Sequence, residues 1–245
     1  MKTPLRKSPA ISAVLAAIAV VFASPAAAAP PLPPSPAITP GAGLAVYNAD
    51  ATGGDTCTAG WLAHDAAGKP VMLTAGHCDM GGKVAMKWTA SGAYETIGTF
   101  EQAVHEGSIG EDADFGVVAL DNAAIPGDAR VLDRRPVEGV ATTSVRVGDV
   151  LCKYGLTTGR QCGAVVEPPT ASKVHFDAVT EKGDSGGPVY LIEPDGDAVA
   201  VGITIRSSDA GGSVAELVQP WLQKMQLTLD TSKPAVGAQP VGYGK

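Results

Sequence analysis

Three short stretches hold side chains that could break a bond by nucleophilic attack. Gly183-Asp184-Ser185-Gly186-Gly187-Pro188 sets one serine between glycines, directly behind an acid. Such a turn presents a hydroxyl with backbone N–H groups beside it. A serine hydroxyl is a weak nucleophile at neutral pH, so it needs a base and a carboxylate to orient that base. His77, in Leu73-Thr74-Ala75-Gly76-His77-Cys78, is the natural base. Asp114 is the natural acid, because it opens the apolar run Phe115-Gly116-Val117-Val118, where a buried carboxylate requires a partner. Asp112 competes for that role but lacks the run directly behind it. The N–H groups of Gly183 and Ser185 are expected to hold the oxyanion of a tetrahedral intermediate. Asp184, buried beside the nucleophile, needs a cation, and Lys153 is expected to supply it.

The elements that must position these groups are short and mostly strands. From Gly41 onward, apolar runs of four to eight residues alternate with Gly, Asp and Asn. Strands are expected at residues 44–47, 60–63, 71–74, 84–88, 94–100, 115–120, 145–151, 163–166, 173–176, 188–192 and 198–205. Their spacing of about ten residues, without long helical periods between, predicts an all-β barrel or sandwich. One helix is expected late, opened by Gln219-Pro220, with Trp221, Leu222 and Met225 on one face. Residues 122–140 read as a connection between two lobes.

The ends differ in kind. Residues 1–29 read as an export signal: Lys2, Arg6 and Lys7, then an uncharged apolar run over Ile11–Phe22, then Ala27-Ala28-Ala29. The run, about 14 residues with its flanks, is short for a membrane span. Losing this segment removes three basic residues and moves the formal net charge from −7 to −10. An acidic mature chain argues against nucleic-acid and anionic-lipid partners. Residues 30–40 are Pro-rich and expected extended; residues 231–245 read as a disordered tail.

Export makes disulfides the default for the four cysteines, which allow three pairings. The local pairing Cys57–Cys78 with Cys152–Cys162 is expected, since a closed loop near 15 residues contributes about 3 kcal/mol in the chain-entropy model. Metal binding by His77-Cys78 is the alternative, but no close C-x-x-C spacing supports it. No metal and no cofactor is expected.

The stretches around His77, Asp114 and Ser185 resemble the chymotrypsin-like serine peptidases, and more closely their bacterial secreted branch, the streptogrisin and α-lytic protease type. Cys152-Lys153-Tyr154-Gly155-Leu156-Thr157-Thr158-Gly159, with Cys162-Gly163, is similar to a segment of that branch. The resemblance covers about residues 41–230. It implies two six-stranded antiparallel β-barrels, about 41–121 and 140–230, with His77, Asp114 and Ser185 in the cleft between them and a short C-terminal helix. It also places Val179 at the base of a substrate pocket and Thr204, Ile205 and Arg206 on its wall. An uncharged Val179 disfavours Lys and Arg substrates and points to cleavage after small or apolar residues.

Three departures stand out. Glu181 sits where many members have a cysteine. Ile205 and Arg206 stand where small residues are usual, so they could narrow the pocket. Only about ten residues separate the signal from the domain, where relatives carry a long pro-region.

Two other chain orders are disfavoured. Gly183–Gly187 also fits the G-x-S-x-G turn of α/β-hydrolases, but that fold needs a histidine after the serine. His64, His77, His105 and His175 all precede Ser185. A subtilisin-like order would need helices that the pattern lacks. His64, His105 and His175 read as surface or hydrogen-bonded residues, and Trp61, Trp88 and Trp221 as core. The expectation is therefore a monomeric secreted serine endopeptidase, free or envelope-associated, acting on peptides or proteins. A catalytically idle protein binding peptides or partner proteins through the same cleft is the alternative.

Overall fold

The computed structural model describes residues 31–141 and 145–232. The export segment and residues 233–245 lie outside the described residues.

Strand-forming runs dominate, and they assemble into two sheets. The first half contributes β1 (Gly43–Asn48), β2 (Gly54–Thr58), β3 (Leu62–His64), β4 (Pro70–Thr74), β5 (Gly81–Lys87), β6 (Tyr94–His105) and β7 (Asp114–Leu120). The second contributes β8 (Val137–Val140), β9 (Val150–Gly155), β10 (Gly159–Ala164), β11 (Lys173–Phe176), β12 (Pro188–Ile192), β13 (Ala198–Ser207) and β14 (Ser213–Leu217). Helix α1 (Val218–Met225) and a two-residue strand β15 (Thr228–Leu229) follow. The sheets run β15-β3-β4-β7-β6-β5-β1-β2 and β10-β9-β12-β13-β14-β11, with β8 alongside β13. This is the trypsin-like double barrel. Eight strands appear in the first sheet because β2 and β3 are counted apart and β15 returns to the barrel beside β3. Seven appear in the second because β8 pairs with β13 in parallel.

Each barrel has its own apolar filling. Leu44, Met72, Leu73, Val84, Met86, Ile97, Phe115 and Val118 are buried in the first. Leu151, Val165, Val174, Phe176, Val189 and Val201 fill the second. Burying one such large side chain contributes about 1.5–3 kcal/mol. The run Phe115–Val118 is apolar at every position because both faces of β7 are covered.

Strands β2 and β14 lie where none was expected, and parts of both terminal segments are ordered against the barrels. β2 and β14 were not marked by apolar alternation; Gly54-Asp55-Thr56-Cys57-Thr58 holds its place by pairing with β1. The Pro-rich segment docks on the first barrel, with the Ser35 N–H donating to the Lys87 carbonyl at 2.9 Å and Leu32 buried. Thr231 and Ser232, grouped with the tail by composition, are described, and the Ser232 N–H donates to the Val137 carbonyl at 3.0 Å. Helix α1 has no side-chain N-cap, contains Pro220 in its first turn, and ends at Gln226 in the left-handed region (φ 55°). Its Trp221 stacks on Phe115 with ring centroids 4.9 Å apart.

Candidate active site

His77 and Asp114 are joined by sheet register. β4 pairs with β7, setting Thr74 opposite Gly116, so the 3-10 turn after β4 falls beside the first residue of β7. The Cys57–Cys78 disulfide fixes that turn to β2. One Asp114 carboxylate oxygen accepts the His77 backbone N–H at 2.9 Å, and the other lies 2.6 Å from His77 Nδ1. Asp114 is buried, whereas the His77 side chain is 30% exposed. With Nδ1 engaged, Nε2 is the ring nitrogen left to accept a proton.

The Ser185 turn is pinned against the same region from the other barrel. The Thr58 N–H donates to the Ser185 carbonyl at 2.8 Å, and the Gly186 N–H to the Thr204 carbonyl at 2.7 Å. Thr58 Oγ1 donates to the Gly183 carbonyl at 2.7 Å. Gly186 has φ +85°, and a Cβ there would run into Thr74 Oγ1 and lie 3.0 Å from the Ala75 nitrogen, two residues from His77. Only glycine fits so close an approach at that dihedral angle. Among the described residues the Gly183 and Ser185 N–H groups donate to no protein acceptor. Nor does a hydrogen bond join Ser185 Oγ to His77. Such bonds are often long without substrate and tighten in the complex.

Asp184 is buried and densely partnered. Its carboxylate accepts from Lys153 Nζ at 2.6 Å, Thr158 Oγ1 at 2.7 Å, and the N–H groups of Thr157, Thr158 and Glu181 at 2.9, 3.0 and 3.0 Å. Burial alone would raise its pKa; the bonds from Lys153, Thr158 and Glu181 outweigh burial and hold it below the ordinary 3.8. Burial pulls the Lys153 ammonium below its ordinary 10.5, partly offset by Asp184. The Cys152–Cys162 disulfide ties β9 to β10 next to Lys153.

Glu216 escaped sequence reasoning, which reads His105 only as a surface or hydrogen-bonded residue. Glu216 on β14, fully buried, pairs with Lys173 Nζ at 2.7 Å, accepts Trp221 Nε1–H at 2.7 Å, and accepts the Asp114 backbone N–H at 3.2 Å. A side chain of the second barrel thus grips the backbone of Asp114 in the first. His105, at the end of β6, pairs with Asp114 across the ladder, its Nδ1 3.9 Å from the carboxylate. No local pattern marks either residue; both become neighbours of Asp114 only through strand pairing.

The four residues expected to line a substrate pocket differ in exposure. Val179 is 56% exposed, while Thr204 and Ile205 are buried. Thr204 Oγ1 has no hydrogen-bond partner. Arg206 reaches across to the Gly110 carbonyl, its NH2 donating at 2.8 Å. A cavity of about 560 Å³ beside it is lined by Arg206, Ile109, Val166, His175 and Asp177, but by none of the other three. Metal ligation by Cys78 is closed off, since its sulfur is in the disulfide.

No family model matches the chain. The uncharacterized protein Rv1815 of Mycobacterium tuberculosis (strain ATCC 25618 / H37Rv) is 35% identical over 161 residues, covering 60% of this chain and 66% of that protein. The chain therefore spans just under two thirds of the curated relative's length. Among solved structures, Thermobifida fusca protease A superposes with a TM-score of 0.57 at 23% identity, covering 80% of this chain and 100% of that one. Nocardiopsis protease superposes with a TM-score of 0.55 at 26% identity, covering 79% and 99%. Among the described residues no helix is long and apolar enough to cross a membrane.

Proposed function

We propose that this chain, whose structural neighbours are bacterial chymotrypsin-like serine proteases of the streptogrisin and α-lytic type, is a secreted serine endopeptidase. The observation that carries the reading is the double engagement of His77 by Asp114, through the backbone N–H at 2.9 Å and Nδ1 at 2.6 Å. It leaves Nε2 as the proton acceptor for a serine that the neighbouring turn holds nearby.

In this reading Ser185 Oγ attacks the carbonyl carbon of a peptide bond while its proton passes to His77 Nε2. Asp114 stabilises the imidazolium without taking the proton. The N–H groups of Gly183 and Ser185 receive the oxyanion, a donor pair of which each member is worth about 3 kcal/mol in related chemistry. His77 then protonates the departing amine, and a water molecule, activated by the same imidazole, releases the acyl group from Ser185. Lys153 serves Asp184 and thereby the turn. An uncharged Val179 at the pocket base, where the family resemblance places it, would suit cleavage after small or apolar residues, and the two disulfides suit an oxidising compartment outside the cytoplasm.

One observation favours the idle-binder alternative: the Arg206 bond to Gly110 ties the second barrel to the loop before Asp114 and narrows the space between them. A fluorophosphonate probe separates the two. The peptidase reading expects covalent labelling of the wild type and none of Ser185→Ala. Native, folded wild type that stays unlabelled favours the binder.

A further inference from the structure

His105 ends β6 and pairs directly with Asp114 on β7. Cross-strand partners put their side chains on one face of the sheet. His77 arrives at that face from the turn after β4. Two imidazoles therefore approach one buried carboxylate from separate elements. The two rings are 5.7 Å apart between centroids and inclined by 60°. His105 Nδ1 is 3.9 Å and His77 Nδ1 2.6 Å from the same oxygen, Asp114 Oδ2. One ligating atom from each of the three residues lies within 4.8 Å of the other two.

Two imidazole nitrogens and one carboxylate oxygen are the donors that zinc and its neighbours in the first transition row prefer. Zinc holds nitrogen at about 2.0–2.1 Å and oxygen at about 2.0–2.2 Å, so ligand atoms around it stand a little over 3 Å apart. The two separations from Asp114 Oδ2 bracket that value. Asp114 is almost fully buried, but the His77 and His105 side chains are 30% and 42% exposed. The rim is open to an ion from solvent, and a fourth position remains for water.

We propose that His77, His105 and Asp114 form an inhibitory binding site for zinc or a similar borderline divalent cation. The ion would stand between Asp114 and the two rings and take the lone pair of His77 Nδ1, the ring proton moving by exchange with solvent from Nδ1 to Nε2 so that the imidazole stays neutral. The imidazole is then held by metal rather than by the carboxylate, and Nε2, already protonated, cannot accept the Ser185 proton. A protein with this site is active where zinc is scarce and silent where it is abundant. The binding stands on geometry alone; the inhibition rests on the peptidase reading.

The test separates those two parts. Calorimetric titration of zinc chloride into full-length Ser185→Ala protein at neutral pH reads binding without any catalysis. One site per chain is expected. Adding His105→Gln should weaken it by more than the roughly 10–100-fold that loss of an outer partner costs a metal site. His64→Gln and His175→Gln, which remove imidazoles paired with Asp230 and Glu167 elsewhere, should leave it unchanged. In proteins that retain Ser185, zinc should stop fluorophosphonate labelling of the wild type, a chelator should restore it, and His105→Gln should label equally with or without zinc. Zinc affinity that ignores His105→Gln in a folded variant, or that follows His64 or His175, overturns the site. If no protein labels at all, the peptidase reading fails while the calorimetry still decides the metal.

Discussion

Two buried lysine–carboxylate pairs sit in the second barrel, and they do different work with the same chemistry. Lys153–Asp184 closes within the second barrel and shapes the serine turn, and its carboxylate collects four donors besides the ammonium. Lys173–Glu216 reaches outward: among the described residues Glu216 has two other donors, Trp221 Nε1 and the Asp114 N–H, and the second belongs to the other barrel. The first pair is a local clasp saturated by its own loop. The second is a cross-barrel tie whose carboxylate leans on its lysine. A buried ion is tolerable only when its lone pairs are filled, so the two should respond differently to loss of the cation.

The largest effect is expected from Lys173→Met. It leaves Glu216 buried with two donors, at the upper end of the cost of breaking a buried pair, about 5 kcal/mol. Chemical denaturation measures it. Fluorophosphonate labelling should fall as Asp114 loses its anchored position. Lys153→Met should cost less, about 3 kcal/mol, because four hydrogen bonds still reach Asp184. Its labelling should nevertheless drop sharply, since the turn it shapes contains Ser185. Equal stability losses in the two variants would erase the distinction between clasp and tie, and full labelling by Lys153→Met would remove that lysine from the proposed machinery.

The smallest and sharpest effect is the pH dependence. The folded-state pKa of Asp184 lies below its ordinary 3.8. Its contribution to stability is therefore complete above 3.8 and is lost as pH falls through the folded-state value. Lys153→Met removes the first of the interactions that lower this pKa. Denaturant midpoints measured across that acid window should therefore change less in the variant than in the wild type. A steeper acid dependence in the variant contradicts the assignment.

Local chemistry marked part of this arrangement in advance. Gly183–Pro188, the His77-Cys78 stretch and the acid heading Phe115–Val118 are short patterns in which adjacent residues must be of particular types. Short strands at regular spacing marked an all-β barrel or sandwich, and the family resemblance narrowed that to the double barrel. Lys153 as partner of Asp184 was reachable by asking which cation could answer a buried acid, and the structure brings the two together. β2 and β14 were not marked, because Gly54–Thr58 and Ser213–Leu217 lack plain apolar alternation.

The chain by itself determined which groups could act: a hydroxyl in a glycine turn, an imidazole beside a cysteine, and a carboxylate at the head of an apolar strand. These follow from backbone freedom and side-chain chemistry over a few neighbouring positions. Only the tertiary structure decided their company: His105 opposite Asp114, Glu216 beneath its backbone, and Arg206 against Gly110. Those meetings depend on strand register and on how one barrel seats against the other. Residues 100 or more positions apart, such as Asp114 and Glu216 at a separation of 102, carry no mutual signal that a local pattern can hold.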